Sequence, residues 1–581
     1  MKRTKTLWLI GAISSTLLVI ALACGAEAEP TPIPTTQPPP AATPTPTTQP
    51  LLTATPIPTP KPTLAPVPTP TLAPVGPSGT LTIAIQTFNV ENVDPGKSGT
   101  TDVPYNGHMY DFLIGTLPGG ELSGKRGLAE SWEISPDGRS LKVNLRRNVR
   151  WHDGREFTSD DVLFSFGERY PAKDSTCTFC GQYRRLVDKV VAIDNFTVEF
   201  RLKQSDITFF SGLSSRDTNS MVMPRHNYLL KEDGSYDLKG DPIGTGAWKF
   251  VTRKIGDSIT YRANLDYWNS AYRVDWNDLR VLLRTEASVR FAAVRTQEAD
   301  MVPILASQIA TAKREGLTVH GPKGWVTIIL MFNNAYDPQF FTNNVDFRKA
   351  LNLAVDMEAV FKAFYPEGSG TPAATAFWNG PVALGYDPDL KPYPFDPVEA
   401  KRLVQKSGYD GKPLKIWSRP HAFATEAPEL IELIAGFWNN IGIKTDITPI
   451  DPGAFRGKLF AKPQAFESGF AGHIAVDTPP TRPMALSNIA VAWLSQGNGG
   501  VIASYHDLNG IDSMYNEAIK ATTLQDLSVA VREINRKTYA EYPMVPIIFK
   551  NDLWALGPKI QSWEPGDFGL SWHFETVKKK R

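Results

Sequence analysis

Cysteine is scarce in this chain of 581 residues, with only Cys24, Cys177 and Cys180 present. So few cysteines exclude a scaffold held together by several disulfides. They also exclude a zinc site built from two cysteine pairs, because no second pair exists and the eight histidines are scattered rather than clustered. We therefore expect no metal site and no cofactor.

An excess of charge of either sign is also absent. The chain has 61 basic and 60 acidic residues, for a net charge of +1. Such a balance argues against nucleic acid as the main partner. Beyond the first 24 residues, no stretch approaches about 18 consecutive apolar residues, so we expect a soluble body. A Gly-x-Ser-x-Gly elbow and a His-Glu-x-x-His pair are missing too, which disfavours an extracytoplasmic hydrolase.

The first 24 residues have the composition of a secretion signal. Lys2, Arg3 and Lys5 form a basic head, Leu7–Ala23 is nearly all apolar or small, and Cys24 follows. The segment is shorter than a membrane span and is typical of a signal peptide. A small residue precedes the cysteine, as in the bacterial lipobox, so we expect lipidation at Cys24. A plain signal peptide and an uncleaved anchor helix are the alternatives.

Residues 25–77 form a Pro- and Thr-rich segment with repeated Thr-Pro and no apolar periodicity. This composition cannot bury a core and stays extended. In polyproline II conformation the segment would reach on the order of 100–150 Å. We expect a tether that holds the body at the outer face of the cell membrane, on the periplasmic side where a second membrane exists.

The remaining residues, roughly 500, are too many for a single core and predict two or three domains. Ser131–Ile134 and Leu141–Leu145 alternate apolar and polar residues around the turn sequence Ser135–Gly138, which predicts a hairpin. Further strands are predicted at Leu81–Ile85, Thr197–Leu202, Thr327–Phe332 and Val545–Phe549. Helices and short strands therefore mix without strict βαβ alternation, as in an α/β or α+β chain.

Helices are predicted where a capping residue precedes an apolar stripe. One begins behind Thr158 or Ser159, and a long one follows Asp346 and includes Ala354 and Val355. A third runs from Asp396 to Ser407 and stops at Gly408, and a fourth ends at Gly442.

Cys177 and Cys180 lie three residues apart in a loop-like stretch. Outside the cytoplasm a nearby pair of this kind oxidises, so we expect a local disulfide. A redox site is the first alternative, although the strand-then-helix context of thioredoxin is missing. Half of a zinc site is the second.

Six passages, in chain order, resemble extracellular solute-binding proteins of family 5, the peptide- and nickel-binding receptors of ABC importers. They are Leu128–Val162 with its Trp-His-Asp-Gly turn, Pro242–Phe250, Asn264–Trp268, Asn333–Asp356, Asp396–Tyr409 and Trp438–Ile443. Each passage alone is weak, but six in the right order are specific. The resemblance covers about residues 78–575.

The resemblance implies a two-lobed fold of the periplasmic-binding-protein type, with a hinge and an extra accessory domain. Carried onto this chain, lobe I comprises 78–121, 242–326 and 545–575, the accessory domain 122–241, and lobe II 327–544. The chain would cross between the lobes near 326 and 545, and the lobes would close on a ligand about these crossings. The mechanism would be binding, so we expect no enzyme.

The resemblance also implies ligand-binding residues. Asp477 would match the carboxylate that pairs with the ligand amino group in peptide-binding members, and His473 stands where Trp is usual. A turn or capping role before Pro479 is the alternative for Asp477. Position in the chain adds further candidates for aromatic walls and polar anchors, namely Tyr105, His108, Trp325, Asn333, Asn334, Trp378 and Trp493.

These features together predict a membrane-tethered monomer that captures an oligopeptide or a similar amine-bearing solute. It would deliver this ligand to ABC permease subunits, with the ATPase subunits on the cytoplasmic side. A binder of a metal chelate or a sugar, and a receptor for signalling or chaperoning, are the alternatives.

Overall fold

The computed structural model describes most of residues 76–580. It leaves out 89–90, 100–101, 118–120, 178, 207, 216–219, 325, 334, 336, 378–379, 381–382, 420, 422–423, 425, 452–453, 456–471, 480–485, 487–488, 490–493, 495–509, 522 and 567–571. All described residues belong to one compact unit, Ala73–Arg581. Within them no helix combines the length and the apolarity that crossing a membrane requires. Cys24 and residues 25–75 of the predicted tether lie outside the described residues.

The strands of the described residues are named in chain order. They are β1 (Thr80–Ile85), β2 (Gly115–Thr116), β3 (Leu122–Ser123), β4 (Ala129–Ile134), β5 (Ser140–Leu145), β6 (Val187–Asp194), β7 (Thr197–Leu202), β8 (Tyr228–Leu230), β9 (Tyr236–Leu238), β10 (Trp248–Lys254), β11 (Ser258–Ala263), β12 (Asp278–Leu283), β13 (Met301–Pro303), β14 (Thr318–His320), β15 (Val326–Phe332), β16 (Gly370–Pro372), β17 (Leu414–Ser418), β18 (Thr445–Pro449), β19 (His473–Asp477), β20 (Met544–Lys550), β21 (Trp554–Leu556), β22 (Ile560–Ser562) and β23 (Lys578–Lys579).

The α-helices are named in the same way. They are α1 (Val103–Asn106), α2 (Ser159–Val162), α3 (Cys180–Leu186), α4 (Thr208–Ser211), α5 (Ala287–Arg295), α6 (Ile309–Arg314), α7 (Val345–Leu353), α8 (Met357–Phe364), α9 (Pro397–Lys406), α10 (Ala427–Asn440), α11 (Ile511–Ala518) and α12 (Leu524–Ala540). Helix α2 continues directly into a π-helix, Leu163–Arg169.

Lobe I is built on a seven-stranded sheet with the order β10–β11–β12–β1–β13–β21–β14. Strand β1 runs parallel to β12 and β13, whereas the other neighbours are antiparallel. Leu81 and Ile83 of β1 share a buried cluster with Trp248, Trp276 and Trp554. Burial of a large apolar side chain contributes roughly 1.5–3 kcal/mol, so this cluster is a main source of the stability of lobe I.

The accessory domain contains a four-stranded antiparallel sheet in the order β4–β5–β7–β6. The predicted hairpin is confirmed, since β4 and β5 pair from Ala129 opposite Leu145 to Ile134 opposite Leu141. Gly138 in the connecting turn has a φ of +65°, a conformation that glycine adopts without steric cost.

The Trp-His-Asp-Gly turn joins the accessory domain to lobe I. The backbone N–H of Gly244 donates to Nδ1 of His152 at 3.2 Å, and Nε2 donates to the carbonyl oxygen of Gly246 at 3.0 Å. Burial lowers the pKa of His152 to about 4, which favours the neutral ring that this pattern requires. Gly244 is needed because a Cβ there would lie 1.7 Å from the carbonyl oxygen of Met109. The motif histidine therefore holds two domains together.

Lobe II is built on a six-stranded sheet with the order β16–β20–β15–β19–β17–β18. Strand β15 is antiparallel to β19 and β20, and β17 is parallel to β18 and β19. Ile328, Leu330 and Phe332, alternate residues of β15, are buried in one cluster with apolar residues of α7, α9 and α10. Ile329 and Met331, on the opposite face of β15, are buried in a second cluster, so the strand is covered on both sides, as its nearly continuous apolar sequence indicates.

Two crossings connect the lobes, at 321–324 between β14 and β15 and at 551–553 between β20 and β21. The resemblance places these crossings near 326 and 545. Strand β20 pairs with β15 from Met544 to Lys550, and this hydrogen bonding keeps the whole strand in the lobe II sheet. The N–H of Asp552 donates to the carbonyl oxygen of Pro322 at 2.9 Å and so ties the two crossings together.

Three of the predicted helix starts can be compared with the structure. Thr158 is the N-cap of α2, as predicted. Asp396 caps α9 and accepts the N–H of Glu399 at 2.9 Å, as predicted. The helix predicted to follow Asp346 instead begins after Asn344, whose Oδ1 accepts the N–H of Asp346 at 2.9 Å. It also ends at Leu353, short of the predicted Ala354 and Val355, and a separate helix, α8, begins at Met357 behind its own cap, Asp356.

The predicted disulfide between Cys177 and Cys180 is present. The carbonyl oxygen of Gly96, in lobe I, accepts the N–H groups of Thr176 at 3.1 Å and Cys177 at 3.2 Å. The disulfide loop therefore contacts the turn that follows β1, and it forms a second connection between the accessory domain and lobe I.

Candidate functional site

One edge of the lobe II sheet collects charged residues beside the crossings. Strand β15 begins at this edge with Val326, and β20 ends there with Lys550, its direct partner. Strands β17 and β19 run parallel and both end at the same edge, with Ser418 and Asp477. Ligand sites in α/β folds lie beyond the carboxyl ends of parallel strands. This edge is therefore the candidate functional site.

Asp477 is the last residue of β19 and lies opposite Ile329 of β15. Its side chain is only partly exposed. Within the described part of the chain, no basic side chain forms an ion pair with it within 4.0 Å. A partly buried carboxylate loses solvation that no ion pair among the described residues restores here. Asp477 is therefore suited to receive a cationic group from a ligand.

Arg419 lies beside Asp477, although the sequence analysis did not single it out. Trp417 pairs with Ala475, so two residues further along these parallel strands Arg419 comes level with Asp477. Arg419 is 6% exposed, and burial lowers its pKa while the charge of Asp477 raises it. Nη2 donates to the carbonyl oxygen of Val476 at 3.2 Å, whereas Nε has no hydrogen-bond partner among the described residues.

An aromatic ring fixes the Arg419 guanidinium. Its Cζ lies 3.8 Å from the centroid of the Phe455 ring, which supports a cation–π contact. A guanidinium held flat in this way presents a fork of N–H donors, and such a fork matches a carboxylate in two parallel hydrogen bonds. With Nε unpartnered, Arg419 is suited to receive an anionic group.

Two further charged side chains at this edge pair with each other. Lys550 and Glu426 form an ion pair at 3.3 Å, with side chains 16% and 17% exposed. His421 lies among them, and Oγ1 of Thr478 is 3.2 Å from its ring nitrogens. Burial lowers the pKa of His421 to about 4, an effect that the charge of Asp477 opposes. Burial therefore favours the neutral form of this ring.

His473 and Asn333, also predicted as ligand contacts, lie at the other end of the sheet. His473 starts β19, and four residues at about 3.3 Å each separate it from Asp477 by roughly 13 Å. Its ring stacks on Trp417 with centroids 4.0 Å apart. Nδ2 of Asn333 donates to the carbonyl oxygen of His473 at 2.6 Å. These contacts connect the end of β15 to the start of β19, and both His473 and Asn333 lie away from the crossings.

Tyr105 and His108 lie in the core of lobe I. Tyr105 is fully buried, and its hydroxyl donates to Oδ1 of Asp102 at 2.8 Å. Nε2 of His108 donates to the carbonyl oxygen of Pro104 at 2.7 Å, and its ring lies 4.8 Å from that of Phe574. The remaining predicted contacts, Trp325, Asn334, Trp378 and Trp493, lie outside the described residues.

The described residues contain no group of three or more His, Cys, Asp or Glu side chains that could hold a metal ion. The chemistry of the candidate site is instead that of two opposite charges, Asp477 and Arg419, on neighbouring strand ends. Nothing in this pair suggests a nucleophile with an adjacent base. The arrangement is suited to binding.

Comparison with known families identifies the class of protein. Residues 125–487, more than half of the chain, match the model for bacterial extracellular solute-binding proteins, family 5. The chain belongs to this family. Membership places it outside the cytoplasm and makes it a binding protein rather than an enzyme.

Individual family 5 proteins agree with this assignment. Heme-binding protein A of Haemophilus influenzae is 27% identical over 463 residues, which cover 76% of this chain and 82% of that protein. The dipeptide-binding protein of Escherichia coli is 28% identical over 385 residues, or 62% and 69% of the two chains. The ABC transporter substrate-binding protein CtaP of Listeria monocytogenes has a similar structure, with a TM-score of 0.72, 20% identity and coverage of 87% and 100%. The fold is thus that of a two-lobed periplasmic binding protein.

Proposed function

We propose that this chain is the lipid-anchored, substrate-binding component of an ABC importer. It captures a ligand that carries both an ammonium and a carboxylate group, such as a short peptide, and presents it to the permease. The observation that carries this proposal is the pair Asp477 and Arg419, two opposite charges at the edge beside the crossings. Dipeptide binding by the Escherichia coli relative supports the same ligand class.

Burial explains why this pair favours a zwitterion. Taking a charge out of water costs several kcal/mol unless a partner compensates it. Among the described side chains, neither Asp477 nor Arg419 has an ion-pair partner within 4.0 Å. A ligand ammonium at Asp477 and a ligand carboxylate at Arg419 would supply both partners. Lobe closure would then exclude water and strengthen both contacts.

Isothermal titration calorimetry with the dipeptide Met-Leu tests the proposal. We expect binding to the unmodified dipeptide and a loss of at least about tenfold for both its N-acetyl and its C-terminal amide forms, since each removes one charge-assisted contact. Asp477→Asn should weaken Met-Leu but no longer discriminate against the N-acetyl form. Arg419→Lys should weaken it too, because an ammonium cannot replace the fork.

Arg402→Gln is the matched control for loss of a guanidinium. Arg402 also lies in lobe II, but it is 58% exposed and pairs with Glu399 within α9. It should leave Met-Leu affinity unchanged. Equal affinity for the charged and the blocked dipeptides in the unsubstituted protein would contradict the proposed ligand class.

Anchoring at Cys24 is tested separately. Membrane-fraction protein should carry a mass increase of covalent acyl chains on Cys24, and Cys24→Ser should release the protein into the soluble extracytoplasmic fraction. A chain cleaved elsewhere, or retained in the membrane after Cys24→Ser, would contradict lipidation.

A further inference from the structure

A basic surface lies where the described body begins. Strand β23 contains Lys578 and Lys579, and Lys580 follows. Nζ of Lys579 is 3.3 Å from the carbonyl oxygen of Ser78 and 3.2 Å from its hydroxyl. The N–H of Ser78 in turn donates to the carbonyl oxygen of Asp275 at 3.1 Å. The chain therefore leaves the Pro- and Thr-rich segment directly beside these lysines.

Two more cations adjoin the same strand. Nζ of Lys578 lies 3.3 Å from the carbonyl oxygen of Arg273, and the N–H of Lys580 donates to the carbonyl oxygen of Lys559 at 2.8 Å. We define the basic surface as these residues of lobe I: Arg273, Lys559, Lys578, Lys579 and Lys580.

Carboxylates offset only part of this charge. Lys578 pairs with Asp275 at 3.3 Å, and Lys559 pairs with Asp300 at 3.1 Å. Within the described residues, no carboxylate forms an ion pair with the other three basic residues. Arg273 and Lys580 are exposed, so their charges face solvent. Lys579 lies 5.3 Å from the Trp276 ring, which holds its position without neutralising it.

We propose that this basic surface docks the folded body on the anionic lipids of the membrane to which the tether leads. The inference rests on the proposed anchoring at Cys24. A tether of about 50 residues restrains the distance from the membrane but not the orientation. Each Lys or Arg near an anionic bilayer gains on the order of 1 kcal/mol, so three uncompensated cations bias which face turns to the lipid. Lobe I would face the membrane beside the point where the tether joins it.

Vesicle co-sedimentation tests the docking with residues 73–581, the compact unit that contains every described element. This protein lacks the acylation site, so any binding comes from its surface. We expect it to bind vesicles of phosphatidylcholine with about one-third phosphatidylglycerol and not vesicles of phosphatidylcholine alone. Raising NaCl from about 0.1 M to about 0.5 M should release it.

Charge reversal locates the surface. Arg273→Glu with Lys580→Glu should weaken vesicle binding at least about tenfold, because both side chains lack a carboxylate partner among the described residues. The matched control, Lys189→Glu with Lys444→Glu, makes the same change of charge at two exposed lysines on the accessory domain and lobe II. The control should retain binding.

Three outcomes would overturn the proposal: equal binding to neutral vesicles, equal losses in both double variants, or binding to a soluble anionic polymer without binding to vesicles. Calorimetry with Met-Leu on the same variants tests ligand binding independently of membrane docking. Loss of vesicle binding with unchanged Met-Leu affinity supports docking by the basic surface. The mass increase expected from acyl chains on Cys24 tests anchoring independently of both measurements.

Discussion

A fully buried ion pair connects the accessory domain to lobe I, and we predict that replacing Arg169 with Met destabilises the protein strongly. Nη2 of Arg169 lies 2.6 Å from Oδ2 of Asp94, with side chains 0% and 6% exposed. The other oxygen, Oδ1, accepts the N–H of Gly96 and the hydroxyl of Tyr228, each at 2.9 Å. After Arg169→Met these two hydrogen bonds remain, but the cation is gone.

Removing one partner of a buried pair leaves an uncompensated charge and costs about 3–5 kcal/mol. Urea unfolding followed by circular dichroism should therefore give a free energy of unfolding that is about 3–5 kcal/mol lower for Arg169→Met. Adding Asp94→Asn should recover at least half of the loss, since the orphaned charge is then removed. Arg402→Met, which breaks an exposed pair, should cost within about 0.5 kcal/mol. A loss below about 1 kcal/mol for Arg169→Met, or no recovery in the double variant, would refute this reasoning.

Three further predictions concern pH and the crossings. Burial lowers the pKa of His108 from 6.5 to about 4. The stability that the neutral ring contributes is therefore complete above pH 6.5 and falls by up to about 3 kcal/mol as the pH drops towards 4. His108→Gln should remove this part of the pH dependence of the urea midpoint. Burial raises the pKa of Asp111 to about 6, so its contribution is complete below about 4 and is lost as pH rises through 6; Asp111→Asn should remove this opposite slope in the same assay. At the crossings, Gly321→Ala places a Cβ 2.0 Å from the carbonyl oxygen of Asp552 and should lower both the melting temperature and Met-Leu affinity, whereas Gly436→Ala, with open space in α10, should not.

Much of the fold follows from local sequence. Turn residues and strict alternation specify the β4–β5 hairpin, and an Asp-Pro cap specifies α9, because these signals act over a few residues. The sequence predicts the start of α7 two residues too late, because Asn344 and Asp346 are both good capping residues. Only the geometry of the turn shows that Asn344 accepts the hydrogen bonds.

The position of the second crossing could not be predicted from local sequence signals. The sequence predicts a strand at Val545–Phe549, but its apolar pattern is the same whether it belongs to one lobe or the other. Pairing between β20 and β15, more than 200 residues apart in the chain, decides that it belongs to lobe II. Long-range pairing of this kind leaves no trace in a local window.

The candidate site depends on the same long-range order. Asp477 could be proposed from its motif, whereas Arg419 lies more than 50 residues earlier in the chain and carries no motif of its own. What identifies Arg419 is the parallel register of β17 and β19, which brings two strand ends to one edge. His473 shows the converse, because it is four residues from Asp477 in sequence but roughly 13 Å away along an extended strand. Residues that are close in sequence along one strand can therefore lie far apart, whereas parallel pairing brings the ends of two distant strands to the same edge.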